Sequence, residues 1–343
     1  MPKVSVVIVN HNGGKALFRC LESLKKTQYD DFETLVVDNG SSDGSLGPVE
    51  RMKQEFPKLS IITNGSNIGA AAGRNVGVAV SVGRYIAFLD SDTEVDPLWL
   101  EDPISTMEKN NDVGVVQCKL LLMHERSKYD YAGDFISQFG FLVQNVEFGD
   151  LDKSEIGQED VFAVKSAGMV MRRDLFVEIG GFDESFSIYL EETDMCWRAW
   201  LRGYRVQFVP GSVVYHDFGN RNKLSSRKSK FLSKYHGPKN YLMMQVKNYE
   251  FGNVVRVMPV HLALWLGIIV WHLGRRRIQE SSWIARGLLY DAIHIRELWR
   301  KRAFVQSRLR LVGDHVIIPQ IMRRRPITYF YRKLSRPDSG WSL

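Results

Sequence analysis

The chain has 343 residues, 44% hydrophobic and 25% charged, an ordinary globular composition and enough length for one large domain or two smaller ones. Three widely spaced cysteines, Cys20, Cys118 and Cys196, argue against a disulfide framework and for a reducing compartment. The net charge of +7 is uneven: residues 275–343 carry +11 and the preceding 274 carry −4, so the basic tail calls for an anionic partner surface, the plainer alternative being a solvated basic face.

Met1-Pro2-Lys3-Val4 runs directly into a strand-like segment, with no secretory signal visible. Residues 4–9, Val-Ser-Val-Val-Ile-Val, read as a buried parallel strand. Asn10-His11-Asn12-Gly13-Gly14 is a turn, and Leu17, Leu21 and Leu24 follow at helical spacing. Thr34-Leu35-Val36-Val37-Asp38 is a second strand, closed by a polar turn that contains Asp43, and residues 59–62 are a third. A small-residue helix start follows, Asn67-Ile68-Gly69 then Gly73-Arg74-Asn75, and residues 85–89 form a strand that stops at Asp90-Ser91-Asp92. This alternation predicts an open, mostly parallel α/β sheet with helices on both faces. Ligands of such sheets bind at the C-terminal strand ends, where the polar clusters after Val9, Val37, Thr63 and Leu89 all lie.

Further along, residues 113–117 are strand-like and 126–160 read as an irregular, substrate-facing insertion. Residues 162–172 return as a strand, Gly180-Gly181-Phe182-Asp183 is a turn, and 191–201 is a helix. Two short strands, 205–209 and 212–215, precede His216. From Phe231 the character changes: Trp265, Trp271, Trp283 and Trp299 sit amid arginines, and 257–274 contains no Lys, Arg, Asp or Glu before Arg275-Arg276-Arg277. Those 18 residues fall short of the roughly 20 a membrane span needs, and they include Pro259, His261 and His272. The positive tail also disfavours a single crossing with the sheet domain in the cytoplasm. The expectation is a helix lying in the membrane interface or dipping into it, with a buried helical hairpin as the alternative. The apolar stretch selects a membrane rather than nucleic acid as the tail's partner. The expected division is 1–225 for the sheet domain and 226–343 for a helical, basic, membrane-associating region.

An apolar strand that stops at two carboxylates one residue apart makes poor packing but a good cation site. Asp90 and Asp92 can chelate Mg²⁺ or Mn²⁺ and bridge it to a diphosphate. His216, at the end of another strand-like run, is a candidate third ligand. Asp38 and Asp43 can accept hydrogen bonds from a base or ribose, although Asp43 also suits a turn or helix cap. Asn67, Gly69, Arg74 and Asn75 offer backbone amides, a helix dipole and a guanidinium to a phosphate. Neither a dinucleotide fingerprint nor a Walker loop is present, which counts against dehydrogenase and ATPase chemistry. Glu191, Glu192 and Asp194 lie within four residues, where mutual repulsion can raise one carboxylate's proton affinity and suit it to general-base work; acids at a helix N-terminus also have a purely structural reading.

The ordered set of Asp38, Asn67 with Arg74-Asn75, Asp90-Ser91-Asp92, Gly180-Gly181-Phe182-Asp183-Glu184, Glu191-Glu192-Thr193-Asp194-Met195-Cys196-Trp197-Arg198 and Tyr215-His216 resembles glycosyltransferase family 2. The likeness covers about residues 4–219 and is nearest to the rhamnosyltransferase-like enzymes of surface-polysaccharide synthesis. It implies a GT-A-type fold with a C-terminal, helical, membrane-proximal extension. The implied activity is inverting transfer of a hexosyl or deoxyhexosyl unit from a nucleotide-diphosphate sugar, at the cytoplasmic face of the membrane, to a lipid-linked saccharide acceptor. It also implies that Asp38 reads the base, that Asp90 supports the ribose or metal, and that Asp92 ligates the metal with His216 assisting; Asn10 and Asn12 join the donor-binding set. The family's base is commonly the Asp of a Glu-Asp pair. Glu192 stands there instead, with Glu191 and Asp194 as competitors. A polyprenyl-phosphate sugar synthase, a nucleotidyltransferase and a non-catalytic nucleotide-sugar binder remain alternatives.

Overall fold

The computed structural model describes residues 2–146, 156–217 and 227–330. In chain order its strands are β1 (Val4–Asn10), β2 (Phe32–Asp38), β3 (Leu59–Thr63), β4 (Tyr85–Asp90), β5 (Thr93–Val95), β6 (Val113–Leu122), β7 (Glu125–Tyr131), β8 (Asp134–Ile136), β9 (Leu142–Gln144), β10 (Glu159–Asp160), β11 (Met169–Arg172) and β12 (Arg205–His216). Its helices are α1 (Gly14–Leu24), α2 (Leu46–Met52), α3 (Ala70–Val80), α4 (Glu101–Lys109), α5 (Arg173–Glu178), α6 (Glu191–Leu201), α7 (Arg227–Asn248), α8 (Phe251–Gly274), α9 (Ile278–Ile293), α10 (Ile295–Phe304) and α11 (Asp314–Ile321).

The ten strands of the main sheet run β10-β12-β6-β11-β4-β1-β2-β3, with β5 beside β12 and β7 beside β6; β8 and β9 form a separate hairpin. β3, β2, β1 and β4 are mutually parallel; β1, β2 and β4 are apolar and buried along most of their length, as strands covered on both faces require, while β3 is the half-exposed edge. β11 runs antiparallel between β4 and β6, and β6 and β12 are parallel. α3 lies close on this sheet because its inner face is glycine: a Cβ on Gly77 would meet Val7 Cγ1 at 2.4 Å, and one on Gly73 would meet Val9 Cγ1 at 2.9 Å.

Two expectations change here. The stretch 126–160 carries β7 to β10 rather than an irregular insertion, apart from 147–155, which lie outside the described residues. β8 and β9 are three residues each and wholly buried, and β7 is exposed over its first three residues and buried over its last three, so no period-2 alternation is visible. The two short strands before His216 are a single strand, β12, whose register with β6 shifts between Val209 and Val213, around Pro210-Gly211.

The C-terminal helices share the core of the sheet. One apolar cluster joins Phe88, Phe162 and Trp197 to Tyr241 of α7, Tyr249 just after it, Trp265 of α8, Leu298 of α10 and Ile317 of α11. α8 turns one stripe inward, Val257, His261, Trp265, Ile268 and His272. There His261 stacks on Phe141 at 4.1 Å and its Nε2 accepts from Trp265 Nε1 at 3.0 Å. Val254, Leu264 and Ile269 flank that stripe half-buried, and the outer side is bare: Val255, Val260, Leu266, Val270 and Leu273 are exposed. α8 is therefore neither a buried hairpin nor a helix free of the domain. It is the one helix among the described residues long and apolar enough to cross a membrane.

Candidate active site

Strand register brings the site together. Asn10 of β1 pairs with Asp38 of β2, and Val9 pairs with Asp90 of β4, so the polar ends of three parallel strands form one row. β5 then folds antiparallel to β12 with Thr93 opposite His216. That pairing carries the His216 ring to the Asp90-Ser91-Asp92 turn across more than 120 residues of chain.

Ligand atoms of Asp90, Asp92 and His216 lie within 4.8 Å of one another. His216 Nε2 is 3.5 Å from Asp92 Oδ1, and its Nδ1 is 2.8 Å from Oδ2 of the buried Asp130. Burial works against an imidazolium here, but the hydrogen bonds to Asp130 and Asp92 outweigh it and raise its pKa to about 10. Two carboxylates with an imidazole whose far nitrogen is already held by a carboxylate are a donor set that fits Mg²⁺ or Mn²⁺.

Arg74, buried on α3, ties this corner to α6. Its guanidinium is 3.0 Å from Asp90 Oδ1, 3.2 Å from Glu191 Oε1 and 3.8 Å from Glu192 Oε1. Burial opposes its charge, yet Asp90, Glu192 and Glu191 together hold its pKa above the ordinary arginine value. Glu192 Oε1 also accepts from Ser166 Oγ at 2.7 Å, and that hydroxyl lies 3.4 Å from Asp90 Oδ1. Glu192 is thus joined to Asp90 of the Asp-Asp-His group through Ser166 and Arg74.

Its neighbour differs. Glu191 is buried, and burial first, then the charge of Glu192, push its carboxyl up to about 8 against the pull of Arg74. A carboxyl so placed is shielded from an acceptor. Asp194 is fully buried and turned away: its carboxylate meets Arg198 Nε at 2.9 Å, Lys247 Nζ at 2.7 Å and Asn248 Nδ2 at 2.8 Å. It pins α6 to α7, a scaffold role unlike the placing of Glu192 beside Asp90.

Several donor-binding candidates also serve the scaffold. Asn10 has no solvent exposure; its Nδ2 donates to Asp38 at 2.8 Å and its Oδ1 accepts from the Gly13 amide. Asp38 is likewise buried and accepts from Ser41 N at 2.9 Å and Ser41 Oγ at 2.6 Å. Asn12 accepts from Ser42 N, Asp43 from Ser45 N in the turn expected of it, and Asn67 from Gly69 N. Gly69 holds φ +90°, which favours glycine. Asn75 clamps the glycine turn through Phe182 N and O and Glu184. Of the set, only Arg74 and Asp90 join the metal-ligand and base candidates directly.

The sequence profile of Glycosyl transferase family 2 matches residues 5–179, about half of the chain. The chain belongs to glycosyltransferase family 2. Among curated relatives of this family 2 chain, it is 34% identical over 116 residues to the uncharacterised glycosyltransferase YibD of Escherichia coli K12, covering 34% of this chain and 33% of that protein. It is 27% identical over 220 residues to glycosyltransferase AglE of Haloferax volcanii, covering 63% and 67%. It therefore spans only a third of the first of these. Its fold is like that of the mannosyltransferase PcManGT from Pyrobaculum calidifontis, solved with GDP-Man and Mn²⁺: TM-score 0.55, 14% identity, 89% of this chain and 85% of that one. The fold is GT-A-like.

Sequence reasoning missed Asp130 and Ser166. Asp130 sits between two tyrosines on β7 and Ser166 in a short 3-10 turn before β11. An isolated acid inside an aromatic strand is the only local signal either residue gives.

Proposed function

We propose that the chain is an inverting family 2 glycosyltransferase. It would move a sugar from a nucleotide-diphosphate sugar to a hydroxyl of a lipid-linked saccharide acceptor, in surface-glycan synthesis at the cytoplasmic face of the cell membrane. The observation that carries this reading is the approach of Glu192 to the Asp90-Asp92-His216 group, joined to Asp90 through Arg74 and Ser166. The Mn²⁺ and GDP-Man bound by PcManGT on a like fold support the choice of cofactor and donor class.

Asp90, Asp92 and His216 would hold the divalent cation, which when bound neutralises charge on the diphosphate leaving group. Glu192 accepts the proton of the acceptor hydroxyl. That oxygen forms a bond to the anomeric carbon from the face opposite the diphosphate, and the bond from that carbon to the diphosphate oxygen breaks. One displacement inverts the anomeric centre. Arg74 and Ser166, each within reach of both carboxylates, hold Glu192 beside Asp90.

Membrane attachment is read from the outer surface. Leu289 and Ile293 of α9 and Trp299 of α10 are exposed like the outer side of α8, and Arg275 lies 4.4 Å from the centre of the Trp271 ring. Apolar side chains with arginines and tryptophans beside them suit a helix lying at headgroup depth.

A screen of nucleotide sugars with Mn²⁺ by thermal shift identifies the donor, because binding stabilises the folded state. With that donor, proton NMR of the product is expected to show an inverted anomeric centre and chelator to stop turnover. Glu192→Gln is expected to lower kcat roughly 100- to 10,000-fold with nucleotide binding retained. Retention of configuration, or full activity in chelator, rejects the reading.

A further inference from the structure

The segment that carries Glu191 and Glu192 reaches its helix through an uncommon backbone. Ser187, Tyr189 and Leu190 have φ of 63°, 69° and 65°. Non-glycine residues rarely adopt this left-handed region, and three within four positions persist only when the surroundings over-determine them. The surroundings here are α7. Asn240, with no solvent exposure, points its amide nitrogen at three backbone carbonyls of the segment: Phe186 O at 3.1 Å, Ile188 O at 2.8 Å and Tyr189 O at 2.8 Å. Beside it, Lys239 Nζ donates to Ser185 O at 2.5 Å. Two turns further on, Lys247 joins Asp183 at 2.8 Å and Asp194 at 2.7 Å, bracketing the same segment from both sides.

We infer that Asn240 is a positioning residue for the general base: by gathering the carbonyls of residues 186–189 it sets the left-handed entry into α6 and so aims Glu192 at Ser166, Arg74 and the acceptor. The inference rests on the reading of Glu192 given above. Its chemistry is that of a clasp. An amide with two hydrogens serves the Ile188 and Tyr189 carbonyls at 2.8 Å and reaches Phe186 O, which the Ile188 amide also serves at 2.7 Å. A base displaced by about 1 Å loses on the order of 100-fold in rate. The helices that follow the sheet domain thus enter the catalytic apparatus through one side chain.

The test uses the full chain and its identified donor with Mn²⁺. In Asn240→Ala, kcat is expected to fall at least tenfold while the Kd of UDP or GDP with Mn²⁺, whichever the wild type binds, stays within twofold. Amides of residues 186–193 should exchange hydrogen faster. Asn240→Asp keeps the shape, lacks the N–H donors and is expected to show the same loss; it carries the test if the alanine variant does not fold. Tyr241→Phe is the control. It is the next residue of α7, and its hydroxyl bonds the Leu142 amide instead, so stability should drop with kcat retained. Unchanged kcat in the Asn240 variants overturns the inference, as does nucleotide affinity falling in step with kcat, or an equal kcat loss in Tyr241→Phe. If wild type transfers no sugar or Glu192→Gln keeps its turnover, the functional reading itself has failed and the positioning role falls with it.

Discussion

Asp130 touches none of the reacting groups, yet the proposed metal site depends on it. Its carboxylate holds His216 Nδ1, which leaves Nε2 turned to Asp92. Asp130→Ala is therefore expected to weaken Mn²⁺ binding roughly 10- to 100-fold by calorimetry, with the fold intact by circular dichroism. An unchanged affinity would show that the ring needs no such support. The metal-ligand and base candidates were readable in the sequence because each sits in a local string, Asp90-Ser91-Asp92, Glu191-Glu192 or Tyr215-His216, at an element end. Asp130 was not, because its role exists only once β7 and β12 flank β6. The internal bonds of Asn10, Asp38 and Asn75 were not legible either. Polar residues at strand and helix ends resemble ligand groups, but turns leave backbone amides and carbonyls that these side chains satisfy first.

At the scale of elements, the contact between α6 and α7 is electrostatic as well as apolar. Burial opposes ionisation of Asp183, but Lys247 and Lys301 at 2.8 and 2.7 Å prevail and hold its carboxyl well below the usual carboxylate range. A carboxylate with its pKa depressed on folding contributes stability that is complete above about pH 4 and is lost as pH falls below it. Asp183→Asn should therefore cost roughly 3 kcal/mol at pH 7, by denaturant unfolding, and the gap to wild type should narrow below pH 4. A gap independent of pH would contradict the pairing. The parallel half of the sheet was legible from its β-branched runs, and α3 from its small residues. What those glycines do was not: they bring the helix onto Val7 and Val9. Gly77→Ala is expected to destabilise by about 1–3 kcal/mol through overpacking, with a corresponding fall in Tm.

For the whole molecule, the boundary expected near residue 225 does not divide the core, since Tyr241, Trp265 and Ile317 pack into the cluster that holds Phe88 and Trp197. Deleting residues 257–343 would remove part of that core, so a membrane role is better probed from outside. Replacing Val270, Leu273, Leu289 and Ile293, all exposed, with serine is expected to release the protein from anionic vesicles in sedimentation while Tm changes little. Undiminished sedimentation would place the attachment elsewhere. The apolar stretch and the basic tail were visible in sequence, but which stripe faces protein was not, because α8 is apolar on nearly every side.

The convergence of Asp90, Asp92, His216 and Glu192 on one cleft is tested most directly by anomalous diffraction at the manganese edge, from crystals grown with Mn²⁺ and the cognate nucleoside diphosphate. The expected peak lies within bonding distance of Asp92 and His216 Nε2, on the side of the cleft that Glu192 faces. A peak at any other place, or one with Glu192 on the far side of the sheet, would contradict it.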